Sequence, residues 1–384
     1  MESLLRRRYM AAKAPADVRC LTFGVMGSAS YTVYLENHRN NAPNVEYSYD
    51  KKTWRPFPTT YATSVTFSNN APLYVRGMNP NGFSHNSADY SNFNVSGTVG
   101  KFLCTGNIMH LIDYTQDLMN IPKGASDIGY TFYRLFYNCS ALYQAPELPA
   151  TGLQTACYNA MFSGCGYMYI GPSELPATVL TNNCYQQMFT NCTSLAQVPE
   201  ELPATTATQR CYDQMFYGCS NIMRPPKIML QTAANYCCSY MFYNCRFTRA
   251  PYMSIASVAE YCCQYMFASN TVLQSLENLA LPAMTLQRYC YQSMFYGCRA
   301  LQSAPVLPAI NLNYYCYDQM FRNCSSLRNI KAMFVTTPSA SYTGYWVDGV
   351  AASGIFIKNS NATWPDTFDV NSIPTGWTVQ TELP

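Results

Sequence analysis

The sequence predicts a mainly β/α-repeat solenoid of eight units, each 25 to 28 residues long, preceded by a small antiparallel β-sandwich. The first of three observations is the dipeptide Met-Phe, which recurs at Met161-Phe162, Met188-Phe189, Met215-Phe216, Met241-Phe242, Met266-Phe267, Met294-Phe295 and Met320-Phe321, with Leu135-Phe136 one period earlier. A fixed period of this length marks stacked units that share one core. Second, a Cys stands four residues before every Met of the series: Cys157, Cys184, Cys211, Cys237, Cys262, Cys290 and Cys316. Another stands four residues after it at Cys139, Cys165, Cys192, Cys219, Cys245, Cys298 and Cys324, and only Asn270 breaks that column. Third, residues 17–102 carry alternating or β-rich runs such as SYTVYLE, SVTFSN and NFNVSG, divided by Asn, Gly, Pro and Ser.

Within a unit such as CYNAMFSGC, a helix of one to two turns places Cys157, Tyr158, Met161 and Phe162 on one apolar face at about 100° per residue. Three residues past the Met stands Asn138, Gly164, Asn191, Gly218, Asn244, Gly297 or Asn323. Asn and Gly tolerate the left-handed conformation, so the helix is expected to stop there. Seven residues past the Met comes an apolar anchor (Leu142, Met168, Leu195, Ile222, Leu273, Leu301, Leu327), with Phe247 one residue early in the unit of Met241. A Leu-Pro-Ala turn follows in five units. Because Pro removes a ladder donor, the strand of each unit must be very short.

These signals divide the chain into a basic arm (1–16), the β-sandwich (17–102), a linker or N-terminal cap (103–130), the solenoid (131–335) and a C-terminal cap (336–384) with Trp346, Trp364 and Trp377. An uncapped solenoid exposes its core, hence the need for both ends. Since each turn touches only its neighbours, a chain starting near residue 103 is expected to fold alone.

Composition narrows the function. The 384 residues are 48% hydrophobic and 12% charged, which excludes a disordered chain. A net charge of +3 is too weak and dispersed for a nucleic-acid groove. No run of 18 apolar residues predicts a membrane span, and the N-terminal stretch lacks the apolar segment of a secretory signal. The three histidines, His38, His85 and His110, lie outside the repeats, so no Cys-His nucleophile is expected, and without clustered CxxC pairs no metal site either. Neither a catalytic residue nor a cofactor is therefore assigned. The seven cysteines from Cys157 to Cys316 read as a buried core ladder of small apolar groups. Cys238 and Cys263, which replace the repeat Tyr in successive units, should be neighbours and the first pair to bridge on oxidation.

The repeated pattern C-Y-x-x-M-F-x-[GN]-C-x-x-L-x-x-x-P-x-L-P-A over residues 131–335 resembles the BspA-like leucine-rich repeat proteins of gut Bacteroides and their phages. The stretch from Gly344 through Phe356 to Trp377 looks like the cap that follows such arrays. The resemblance implies a leucine-rich-repeat solenoid used for adhesion, with no catalytic residues to carry over.

On such a frame the expected ligand surface is the strand face, where equivalent positions carry unlike residues: Tyr143, Gln144, Tyr169, Gln197, Arg224, Gln274, Gln302 and Arg328. Tyr158, Tyr185, Tyr212, Tyr291 and Tyr317 read instead as a partly buried structural ladder bordering the helix face. Arg6, Arg7 and Arg8 form an attachment arm. Three classes follow. The first is a phage virion component (tail, fibre or head decoration), assembled in the bacterial cytoplasm, that binds a host-surface glycan or protein and reaches other virion proteins through its N-terminal region, as a possible homo-oligomer. The second is a bacterial cell-surface adhesin. The third is a hydrolase, disfavoured because no catalytic constellation stands out.

Overall fold

The computed structural model describes residues 19–39, 41–97, 100–123 and 129–383; Arg6, Arg7 and Arg8 lie outside these. The N-terminal strands are β1 (Leu21–Val25), β2 (Ser30–Asn37), β3 (Val45–Ser48), β4 (Arg55–Pro56), β5 (Val65–Ser68), β6 (Leu73–Gly77), β7 (Ser91–Gly97) and β8 (Phe102–Thr105). Strict alternation buries every second residue of β1 and β6. The buried rings of Phe23, Phe67, Phe93 and Phe102 fill the space between two sheets, with Phe23 edge-on to Phe93 at 5.1 Å and to Phe102 at 5.0 Å. One sheet is three-stranded, β5-β2-β7. The other runs β4-β3-β6-β1-β8 and then continues, in parallel, into β9 (Leu142–Gln144), the first strand of the repeats. The sandwich and the solenoid thus share one sheet, and β8 spans the expected boundary at 102/103.

From β9 onward the chain winds in parallel turns. Its strands are as short as the prolines require: two residues in β10 (Glu201–Leu202), β11 (Lys227–Ile228), β12 (Met253–Ser254) and β13 (Leu279–Ala280). The anchors Leu142, Met168, Leu195, Ile222, Phe247, Leu273, Leu301 and Leu327 are fully buried.

The expected helix does not form. The segment from Cys157 to Cys165 is a run of turns, and left-handed backbone occurs not only at Gly164 (φ 79°) but also four and eight residues earlier, at Ala160 (φ 51°) and Ala156 (φ 52°). Each later repeat does the same, as at Tyr236, Tyr240 and Asn244. A left-handed residue every fourth position forbids the i to i−4 bonding of an α-helix. The N–H groups alternate instead. Those of Cys157, Asn159, Met161 and Ser163 donate to carbonyls three residues back, while those of Tyr158, Ala160 and Phe162 donate to Cys184, Gln186 and Met188 of the next turn, at 2.9–3.0 Å. Every second amide thereby stitches one turn to the next, which offsets the roughly 1 kcal/mol that each left-handed non-glycine residue costs.

The alternation of Asn and Gly three residues past the Met has a steric cause. The Asn138 carboxamide leans over Gly164, where a Cβ would overlap its Oδ1; Asn191 Oδ1 would lie 2.5 Å from a Cβ on Gly218, and Asn323 Oδ1 2.8 Å from one on Gly349. Gly297 follows Ser269 instead, and the nearest atom to its Cβ would be 3.9 Å away. Gly164→Ala is therefore expected to cost about 1 kcal/mol more than Gly297→Ala, because Asn138 must leave its rotamer. Urea midpoints of the two variants measure the difference, and adding Asn138→Gly to Gly164→Ala should abolish it.

Inside the turns, side chains pile into columns. Eight phenylalanines from Phe136 to Phe321 stack at 5.3–5.8 Å with planes within 12° of parallel. Each fully buried ring contributes roughly 1.5–3 kcal/mol of apolar burial. Phe93 and Phe102 of the sandwich close one end of this column on Phe136, at 5.5 and 6.5 Å. At the other end Trp346 lies 6.1 Å from Phe321 and 6.3 Å from Tyr317, its indole N–H donating to Ser372 C=O at 2.9 Å. The parallel strands β14 (Asn329–Ala332), β15 (Ile355–Asn359) and β16 (Thr378–Glu382) continue the winding, with a single helical turn, α1 (Ala340–Thr343), between β14 and β15.

The tyrosine column Tyr158, Tyr185, Tyr212, Tyr291 and Tyr317 is buried outright, at 0–1% exposure, rather than half-buried at a helix border. With no helix, the residue after the Cys points into the core. Eight residues before each of these tyrosines stands a buried alanine: Ala150, Ala177, Ala204, Ala283 and Ala309. Where Cys238 and Cys263 replace the tyrosine, Leu230 and Ile255 replace the alanine. A small residue opposite a large one has become a large one opposite a small one, and the core keeps its density.

Candidate recognition surfaces

The cysteine ladder is core. All eighteen cysteines are buried, and burial pushes the thiols up, to about 12 at Cys139, Cys184, Cys316 and Cys324. Protonated thiols are poor nucleophiles and poor metal ligands at neutral pH. Among the described residues no group of three or more His, Cys, Asp and Glu could hold a metal ion. In the second column the thiols of Cys165, Cys192 and Cys219 donate to Phe136, Phe162 and Phe189 carbonyls of the preceding turn, at 3.0–3.1 Å. Cys fits there as a small apolar group with one weak donor. Asn270, which interrupts the column, is buried with both carboxamide atoms unpaired. Cys238 and Cys263 are neighbours across adjacent turns, where Cys238 N–H donates to Cys262 C=O at 2.8 Å.

The strand-face residues occupy the two positions that follow the anchor in successive turns. Tyr143 and Tyr169 stack at 5.6 Å, and Gln144 and Gln197 flank Ile170 through parallel bridges. Gln302 accepts the Arg328 N–H at 2.9 Å, and Gln274 donates its N–H to Thr248. The side chains of Arg224, Gln274, Gln302 and Arg328 are exposed, whereas Tyr143, Gln144, Tyr169 and Gln197 are half-buried.

A second surface, on the turn face, escaped the sequence reading. Tyr236, Tyr261, Tyr289 and Tyr315 occupy the left-handed position before the first Cys in four successive turns, at φ 56–59°. Their rings stack at 4.6, 4.6 and 4.9 Å with planes within 8°. Beside them Tyr240 stacks on Tyr265 at 4.7 Å and Tyr217 on Tyr243 at 4.8 Å. Arg210 lies over Tyr236 at 4.7 Å, a cation–π contact that ends the first column. In earlier turns the same backbone position carries Ala156 and Asn183. The signal was visible as Tyr-Cys in four consecutive units, but it was subsumed in the cysteine pattern.

Between this surface and the core run amide ladders. Asn159 donates to Gln186, and Gln186 to Asp213, each at 2.9 Å; Gln292 donates to Asp318 at 2.8 Å. Ser239 interrupts the series. Burial pushes the Asp213 carboxyl up to about 6, against the lowering effects of Gln186, Arg210 and Gln214. A carboxyl whose folded pKa is raised stabilises the fold fully below its unfolded pKa near 4 and loses that contribution as pH rises through about 6. Asp213→Ser, which installs the residue of the next turn, should therefore remove up to about 3 kcal/mol of the stability decline between pH 4 and pH 7. Urea midpoints of both proteins across that range measure it.

The family model for the BspA type leucine rich repeat region matches six copies over residues 133–277 and 263–339, more than half of the chain. The chain belongs to that family. A search of curated proteins and one of solved structures return no match. Repeats of the BspA type indicate a repeat-based recognition or adhesion protein, and their solenoid is typically a binding scaffold rather than an enzyme. Among the described residues of this BspA-type protein no helix is long and apolar enough to cross a membrane.

Proposed function

We propose that this BspA-type protein is a virion component, a tail, fibre or head-decoration protein, that binds a host-surface glycan or protein through the outer face of its solenoid. The observation that carries the recognition reading is the clustering of half-buried, stacked tyrosines on the turn face. The frame accepts Ala156, Asn183, Gln187 and Gln214 at the left-handed positions where later turns place Tyr236, Tyr240, Tyr261 and Tyr265, so the fold does not require them. Aromatic residues gathered on one solvent-accessible face, beyond what folding needs, mark a binding surface. The strand-face residues from Tyr143 to Arg328 are a second contributor, and the N-terminal region would attach the protein to other virion proteins.

The test uses the full chain. Fluorescently labelled protein should coat host cells, and replacing Tyr236, Tyr261, Tyr289 and Tyr315 by Ser should remove the coating while circular dichroism is unchanged. In lysates the protein should co-sediment with particles. Recovery in the cell-envelope fraction instead would support the bacterial adhesin reading.

A further inference from the structure

Four rings stacked face to face leave little face to offer. In the column Tyr236, Tyr261, Tyr289 and Tyr315 each inner ring has a neighbour on both sides, and the Arg210 guanidinium covers the outer face of Tyr236. Among the described residues only the outer face of Tyr315 lacks a ring or cation partner. A sugar that stacks flat on an aromatic ring would find one place here, not four. Yet all four side chains are partly exposed, and their hydroxyls make no hydrogen bond to another described residue. With the faces covered, the exposed part of each ring is its rim and its hydroxyl.

The column is therefore a row of phenol groups, one per turn, with rings 4.6–4.9 Å apart. Each group can donate one hydrogen bond and accept others. The nearby charges, Arg210, Glu260 and Arg288, are of mixed sign. Such a row suits a ligand that is itself a neutral polar polymer repeating at about one strand spacing. An extended chain of β-linked pyranose sugars has that character: it advances close to one strand spacing per sugar and presents equatorial hydroxyls along its edge. A single extended peptide strand, advancing about 3.3 Å per residue, does not match that period.

We propose that the tyrosine face binds a linear, neutral polysaccharide lying along the solenoid axis, held edge-on by one phenol hydroxyl per sugar rather than by stacking on ring faces. The inference rests on the recognition reading above and deepens it.

The experiment measures binding of the full-length protein to graded series of linear cello-, manno- and chito-oligosaccharides by calorimetry. In at least one series affinity should climb with each added sugar until the chain spans the four tyrosines, and then level off. Replacing Tyr236, Tyr261, Tyr289 and Tyr315 by Phe keeps every ring and every stack but removes the hydroxyls. That variant should bind the longest ligand at least about 10-fold more weakly, the product of several lost hydrogen bonds. Wild-type affinity in the Phe variant would overturn the edge-on mode, because ring stacking survives the change. Absence of binding in all series would overturn the polysaccharide itself. If the labelled protein then still coats host cells through the same tyrosines, the recognition reading stands with a protein ligand; if it does not, that reading falls as well.

Discussion

A chain that begins at residue 103 will not persist as a soluble folded monomer, although a free-standing solenoid would be expected to. The cut removes Phe102, the first residue of β8, whose Phe102–Thr105 backbone links β1 to β9 in one sheet. It also strips the phenylalanine column of its end: Phe93 and Phe102, both fully buried, cover Phe136, and Phe83 lies 6.4 Å from Phe132. Without them the first turn presents an aromatic face and an unpaired parallel strand edge to water, a combination that favours association. The point substitution Phe93→Ala reports on the same contact within an intact chain, at an expected cost of about 3–5 kcal/mol. Size-exclusion chromatography of the truncated chain and urea unfolding of Phe93→Ala check the two halves. A monodisperse, cooperatively unfolding truncated chain would show that the sandwich is an appendage and not the N-terminal cap.

Cys238→Tyr should destabilise the protein by about 1–3 kcal/mol even though it restores the residue that five other turns carry. Leu230 already fills the space that an alanine leaves free beside Tyr212 or Tyr291. Leu230→Ala alone opens a cavity at about 2–5 kcal/mol. Together the two changes recreate the Ala-Tyr pair, with a ring for Tyr212 to stack on as Tyr185 does at 5.9 Å. The double variant should be less destabilised than the sum of the singles by about 1–3 kcal/mol, the range for residues that share a packing site. Urea midpoints of the four proteins close the cycle. Strict additivity would mean that residues eight apart do not share volume, and the compensation argument would fail.

Much of this architecture was legible because burial leaves a periodic trace. Met-Phe, the two cysteine columns and the anchors from Leu142 to Leu327 recur since each occupies the same place in successive turns, and Asn191 or Gly218 marked a left-handed residue correctly. The helix was misread for a definable reason. Cys157, Met161 and Cys165 are spaced by four residues, and so are Tyr158 and Phe162. A helical period of 3.6 rotates Cys165 about 80° away from Cys157, whereas a four-residue repeat of turns keeps all three aligned. The left-handed alanines and tyrosines that produce that repeat carry no compositional mark, since Ala156, Arg210 and Tyr236 all adopt it. The join between sandwich and solenoid was hidden because strand pairing across 37 residues of chain, from Thr105 to Leu142, leaves no local pattern. Of the candidate surfaces, the strand-face residues stood out by their variety, and the tyrosine face was missed because stacking makes its residues alike.

The alternating amides also decide how the molecule answers a mechanical load. Tension between the chain ends meets each boundary between turns as a row of bonds, such as those from Tyr158, Ala160 and Phe162, that run along the axis. Among the described residues the turn that carries β16 has such bonds on one side only, so it gives way before an interior one. Its release hands the load to the next. Each event frees one unit of 25 to 28 residues, or about 90 Å of contour length. A solenoid built this way yields by paying out slack in uniform increments, and whatever it grips at mid-length is the last to be let go.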